Sequence, residues 1–272
     1  MSDKIAIIAG SGVLPVALAA RLKEQGKIPV LVGFRGDTPP ETIEEYTHLW
    51  ARLGGPKRIF RFLKKQGVTD VVFSGALKRP NLWALWPDFT ALKYIIKACR
   101  RAMGDNSLLE LVGKMFSDHG FVLRGAHEFM GEFLMPEAVL GTVKPNEQDL
   151  ADIAYGKRCA LAIGALDIGQ GVIVENGLVL GVEGVEGTDA LIARCKELKR
   201  QPEGGVLVKM CKPQQDKKLD MPSIGPDTVR NVKAIGLAGI AIHAGQSLCL
   251  EPEKTIALAD KEGIFLVGIS DA

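Results

Sequence analysis

The chain has 272 residues, a length that suits two domains better than one core. Apolar residues make up 47% and charged residues 24%, which excludes a disordered chain, and a net charge of +2 with interspersed signs gives no case for a nucleic-acid partner. Five cysteines (Cys99, Cys159, Cys195, Cys211, Cys249) lie without CxxC or Cys/His ligand spacing, a pattern of reduced cytoplasmic thiols that argues against structural zinc.

Residues 4–9 form a continuous apolar run of the kind found in a strand covered on both faces. Leu14, Leu18 and Leu22 then recur at helical spacing, and residues 29–32 read as the next strand. A short amphipathic helix is expected over 58–66 and a buried strand over 68–74. Helical pattern returns over 92–103 and 107–119, followed by a strand over 121–124. Strand and helix alternating at these spacings predict an α/β domain over residues 1–135, a Rossmann-like, doubly wound parallel sheet. Right-handed crossovers put the strand C-termini and the loops after them on one edge.

Residues 136–145, bounded by Pro136 and Pro145, read as a linker. A long helix over 149–163 then leads into short glycine-rich strands at 171–174, 178–183 and 205–210, with a helix at 189–198 between the last two. A helix over 228–234, a strand over 239–242, a helix over 253–262 and a strand over 265–267 close the chain. Residues 146–272 are therefore expected to form a second α/β or α+β domain of more antiparallel character, taken as the catalytic one.

The loops carry the chemistry. Gly10-Ser11-Gly12 follows the first strand and opens the first helix, where backbone amides can approach phosphate or ribose. Pro15 stands where a dinucleotide fingerprint has its third glycine, and no Gly-Lys-Ser/Thr follows. The loop is thus either a plain glycine turn or a contact for a nucleotide base or sugar. Ser74-Gly75-Ala76, followed by Lys78 and Arg79, is expected on the same edge, as a phosphate contact or a solvated basic turn. Trp83, Leu85, Trp86 and Phe89 cluster around Pro87 and read as core or as the border of an apolar cavity.

His127 sits at a strand-to-loop junction between small residues and two carboxylates. In the second domain Gln170-Gly171 enters a strand, and Glu186-Gly187-Thr188-Asp189 opens a helix, with Thr188 or Asp189 a reasonable N-cap. Residues 209–228 are the densest polar stretch: Lys209, Lys212, Asp216, Lys217, Lys218, Asp220 and Asp227, broken by Pro213, Pro222, Gly225 and Pro226. Proline and glycine at this density exclude a regular helix through it. A solvated loop whose charges cancel and a phosphate clamp with a catalytic carboxylate both fit that composition.

Several of these motifs together, in order and over essentially the whole chain, resemble one family. Gly10-Ser11-Gly12-Val13-Leu14-Pro15, Gly125-Ala126-His127-Glu128-Phe129-Met130-Gly131-Glu132, Asp167-Ile168-Gly169-Gln170-Gly171, Glu186-Gly187-Thr188-Asp189-Ala190 and Asp220-Met221-Pro222-Ser223-Ile224-Gly225-Pro226-Asp227-Thr228 look like the UDP-2,3-diacylglucosamine pyrophosphatases of the LpxI type. The resemblance implies hydrolysis of UDP-2,3-diacylglucosamine to UMP and 2,3-diacylglucosamine 1-phosphate (lipid X), a cytoplasmic step of lipid A biosynthesis. It also implies dependence on Mg²⁺ and attack of water on the sugar-side phosphorus, with Asp227 on the aspartate tied to catalysis. The chain departs from the family at Gly104-Asp105-Asn106, where Asp-Asp is frequent, and at Lys218, where arginine is.

On this reading Asp227 is the essential carboxylate, with Asp216 and Asp220 beside it as metal or outer partners. Lys209, Lys212 and Lys218, with Lys78 from the other domain, are the expected diphosphate clamp. Gly10, Ser11, Gly12, Leu14, Ser74, Gly75, Ala76 and His127 are expected to bind substrate from the first domain. Gln170, Gly171, Glu186, Gly187, Thr188, Asp189 and Thr228 are expected to do so from the second. Two acyl chains require an apolar chamber, expected between the domains. A homodimer is expected, and peripheral contact with the cytoplasmic face of the inner membrane. The N-terminus shows no secretory signal pattern, and no apolar stretch approaches the roughly 20 residues that span a bilayer. A non-catalytic carrier of a nucleotide sugar or acylated sugar is the alternative, and a nicotinamide oxidoreductase on the Gly10–Gly12 loop a third.

Overall fold

The computed structural model describes residues 3–76, 105–219 and 221–271. Lys78, Asp220, the aromatic cluster at 83–89 and the helix expected over 92–103 lie outside the described residues. The chain divides into two compact units, one of residues 1–131 with 216–220, the other of 132–215 with 221–272.

In the first unit the strands are β1 (Lys4–Ala9), β2 (Ile28–Phe34), β3 (Thr47–Ala51), β4 (Asp70–Ser74) and β5 (Val122–Arg124). They form one sheet in the order β3-β2-β1-β4-β5, and every neighbouring pair is parallel. The helices are α1 (Leu14–Glu24), α2 (Pro56–Gln66) and α3 (Asp105–Asp118). Ala6, Ile8, Val30 and Val32 pack with Ile59, Phe60 and Leu63 of α2 and Met115 and Phe116 of α3. The alternating residues Ile5, Ile7 and Leu31 are as fully buried. Burial of both alternating sets is the reason β1 is apolar without interruption. Pro15 falls in the first turn of α1, where the missing N–H has no intrahelical role.

The second unit contains β6 (Val139–Leu140), β7 (Gly171–Glu175), β8 (Leu178–Val182), β9 (Val206–Lys209), β10 (Ser223–Ile224), β11 (Gly239–His243), β12 (Leu248–Cys249) and β13 (Phe265–Ile269). Six of these make a sheet in the order β6-β13-β11-β9-β7-β8, with β10 and β12 paired separately. Its centre is parallel (β9, β11, β13), and its flanks are antiparallel through β7, β8 and β6. The stretch read as a linker therefore contributes an edge strand to the second sheet.

Helix α4 (Glu147–Ala165) covers one face, where Ile153 and Ala160 pack on Val172, Val174, Val206, Val208 and Ala241. It approaches closely because Gly156 faces the sheet: a Cβ there would stand 2.6 Å from Val208 Cγ2. The other face is covered by α5 (Thr188–Cys195), α6 (Pro226–Ala234) and α7 (Pro252–Glu262). Leu191, Ile192, Val229, Val232 and Ala259 meet Ile173, Leu207, Ile240, Ile242 and Leu266 there. The fold is α/β in both units. No helix among the described residues is long and apolar enough to cross a membrane.

Candidate functional site

In the first unit the strand order reverses between β1 and β4, the position where open parallel sheets bind ligands at their carboxyl edge. The loops after these two strands are zipped together. Gly10 N donates to Ser74 O at 2.8 Å, Ser11 N to Ala76 O at 2.8 Å and Ala76 N to Ser11 O at 3.1 Å. Ser11 Oγ adds a 3.0 Å bond to Ala76 O. A Cβ on Gly10 would stand 2.3 Å from Ala76 O, and one on Gly75, where φ is +84°, 2.4 Å from Ser11 O. Glycine is therefore demanded by the pairing of the two loops.

Two polar atoms remain open at this edge. Ser74 Oγ and His127 Nδ1 are buried and, among the described residues, have no hydrogen-bond partner. His127 follows β5 in a short 3-10 turn, with its ring folded over Gly125. Gly12 is exposed and Leu14 half-buried, beside the exposed Val13 and Val16 at the start of α1.

In the second unit the carboxyl ends of β8 and β9 and the start of β7 share one sheet edge. Gly171 of β7 pairs with Lys209 of β9, and Glu183 N, just past β8, donates to Gly171 O at 2.7 Å. Lys209 is 5% exposed, and among the described residues its ammonium finds the Ser223 carbonyl at 3.2 Å. Two residues on, Gly225 caps α6, whose first turn carries Asp227 and Thr228. Thr188, in the first turn of α5, donates to Glu183 Oε1 at 3.0 Å, while Glu183 Oε2 and Gln170 Oε1 are buried and have no partner among the described residues. Four such side-chain atoms lie on these two sheet edges: Ser74 Oγ, His127 Nδ1, Gln170 Oε1 and Glu183 Oε2. Unpaired buried acceptors and donors are costly and rare, so their grouping here makes the two edges candidate ligand positions.

The other expected residues divide. Lys212 Nζ is paired with Asp167 at 2.7 Å, and Asp189 accepts from Asn231 Nδ2 of α6 at 3.0 Å. Asp227 is 80% exposed at its side chain and bonded to Arg230. Thr228 Oγ1 accepts from the Gly225 amide at 3.4 Å. Glu186 binds the Arg194 guanidinium at 3.0 and 3.2 Å. Its carboxyl is held below the ordinary range, first by its own backbone amide and then, against partial desolvation, by Arg194. Gly187 caps α5 at φ +81°.

Asp216 and Lys218, by contrast, group with the first unit. Asp216 Oδ1 accepts from Lys218 N at 2.9 Å, and the neighbouring Leu219 is buried against Gly113 of α3. This part of the polar loop is thus anchored by Leu219, a leucine set among charges.

Glu183 and His243 escaped the sequence reading. His243 ends β11 on the same edge, accepting from Cys211 N at 3.2 Å through Nδ1 and facing Asp271 at 3.1 Å through Nε2. Glu183 reads in sequence as the last residue of a strand, and only its row with Gly171 and Lys209 distinguishes it.

Two family models together span the chain: the LpxI N-terminal domain matches residues 4–133 and the LpxI C-terminal domain residues 136–267. The UDP-2,3-diacylglucosamine pyrophosphatase LpxI of Caulobacter vibrioides is 39% identical over 275 residues, covering 98% of this chain and 97% of that protein.

Proposed function

This chain belongs to the LpxI family, and on that premise we propose that it hydrolyses the diphosphate bond of UDP-2,3-diacylglucosamine to UMP and 2,3-diacylglucosamine 1-phosphate. The observation that carries this reading beyond the likeness is the second unit's sheet edge. A buried ammonium (Lys209), a second lysine (Lys212) and the first turns of α5 and α6 gather there with Asp227. Helix N-termini and lysines supply the positive potential that a diphosphate needs as charge shifts to its leaving oxygen. Lys209 is set to hold a phosphate oxygen; Lys212 is set to exchange Asp167 for one.

Magnesium belongs to this reading. Among the described residues no group of three or more His, Cys, Asp or Glu side chains is arranged to hold a metal ion. Mg²⁺ commonly takes one or two carboxylates, substrate phosphates and its own waters, so a single protein carboxylate beside the diphosphate is enough to help hold it. Asp227, exposed at the start of α6, is the carboxylate we assign to meet it. The ion, when bound, would neutralise charge on the bridging and terminal oxygens. Asp216 caps its own turn and is less available.

At the first unit's switch point we place a nucleotide moiety, because Ser74 Oγ and His127 Nδ1 lack partners among the described residues. Exposed Leu166, Ile168 and Val185 flank the second unit's polar edge and suit acyl chains or a lipid surface, consistent with peripheral work at the cytoplasmic face of the membrane.

The test is direct. Purified protein with UDP-2,3-diacylglucosamine and Mg²⁺ should release UMP, chelation should stop release, and Asp227→Ala should bind substrate without turning it over. Substrate left intact by the wild type would refute the reading.

A further inference from the structure

Glu183 is 6% exposed, and its two carboxylate oxygens differ. Oε1 accepts the Thr188 hydroxyl at 3.0 Å; Oε2 is buried with no partner among the described residues. The backbone fixes the direction of this side chain. Glu183 lies beside Gly171, and Gly171 pairs with Lys209, all through antiparallel neighbours. Opposed residues on antiparallel strands project from the same face, so Glu183 and Lys209 flank Gly171 on one side of the sheet. Gly171 contributes no side chain, and Glu183 Oε2 leans into the gap, 2.7 Å from where a Cβ on that glycine would be.

The other carboxylates of this edge, among the described residues, have partners of their own. Glu186 meets Arg194, Asp167 meets Lys212, Asp189 accepts from Asn231 and Asp227 faces solvent beside Arg230. A carboxylate oxygen left buried and, among the described residues, without a donor is unfavourable unless a ligand donor completes it.

We infer that Glu183 is a catalytic residue of the hydrolysis proposed above, an inference that rests on that reading: its Oε2 orients the attacking water and takes its proton while Lys209 holds the phosphate under attack. The water oxygen bonds to the sugar-side phosphorus. The bond from that phosphorus to the bridging oxygen breaks, and UMP departs with that oxygen and its electron pair. One water proton passes to Oε2, and the other remains on the product phosphate. Thr188 is the positioning residue, holding Oε1 so that the second oxygen faces the gap over Gly171.

The experiment follows UMP release by the purified full chain. Glu183→Gln should lower kcat by about 100- to 10,000-fold and leave KM within about threefold, as loss of a proton acceptor does. Glu183→Ala should be as slow, and added formate should restore its kcat by about tenfold or more, a rescue that a purely structural role does not give. Gly171→Ala keeps the carboxylate but sets a methyl against Oε2, and should lower kcat by about tenfold or more even where Glu183→Gln folds poorly. An active wild type with Glu183→Gln and Gly171→Ala both near full kcat, or with no formate rescue of Glu183→Ala, overturns the inference. A wild type that releases no UMP instead sinks the hydrolysis reading, and this role with it.

Discussion

Asn231 donates through Nδ2 to Asp189 Oδ1 at 3.0 Å, and so ties the second turn of α6 to the first turn of α5. Asn231 lies one helical turn beyond Asp227, so the two share a face of α6. The tie holds α6 against α5 while Asp227 stays exposed.

Removal of Asp227 should therefore separate function from folding. Asp227→Asn should abolish most UMP release, by about 100-fold or more. Because the side chain is 80% exposed, folding stability should change by no more than about 0.5 kcal/mol. Parallel kinetics and thermal unfolding check this; a variant retaining full activity removes Asp227 from the mechanism.

Lys209 should show the opposite coupling. Its ammonium is buried, and among the described residues it rests on one carbonyl. A buried charge of this kind opposes folding, so Lys209→Met should leave Tm unchanged or raise it. The same substitution should cut kcat/KM by about 100-fold, since a preorganised cation at the phosphate is lost. A destabilised but active variant would show that Lys209 serves the fold.

At the first unit's switch point, Gly75→Ala should be costly. The backbone there has φ +84°, and the new Cβ would lie 2.4 Å from Ser11 O. The left-handed conformation alone costs about 1–3 kcal/mol for a residue other than glycine, before the clash is relieved. Thermal unfolding should register this, and titration with UMP should show weakened binding. An unchanged Tm with unchanged UMP affinity would argue against the loop pairing.

Much of this architecture is legible in the sequence because it rests on local pattern. The unbroken apolar run of β1 requires cover on both faces, and Gly10-Ser11-Gly12 at its end marks the turn. β3 has no such signature: Thr47, His48 and Trp50 alternate at a half-buried edge of the sheet. β6, β10 and β12 are two residues each, too short for any periodicity, and exist only through their partners. Lys209, Thr188 and Asp227 were legible as polar residues at element boundaries. Glu183 was not, because its character comes from a tertiary row in which Gly171 and Lys209 are distant in sequence. Leu219, alone among charges, was the available sign that part of the polar loop packs with the first unit.

Cys249 should behave as an inert thiol. Burial is the main cause that pushes it from the ordinary 9.0 up to about 11, with a smaller opposing bond from Thr255. The folded protein thus holds that proton more tightly than the unfolded chain. This contribution to stability is complete below pH 9.0 and is lost as pH rises from there through about 11. Alkylation at pH 8 should spare Cys249 until denaturant is added; rapid labelling of the native protein there would contradict its burial.

The most direct measurement is product analysis of UDP-2,3-diacylglucosamine turned over by the wild-type chain with Mg²⁺ in ¹⁸O-water. The account predicts UMP and 2,3-diacylglucosamine 1-phosphate in equal amounts, with the heavy oxygen on the sugar phosphate. Label on UMP, or UDP as the released nucleotide, would contradict it.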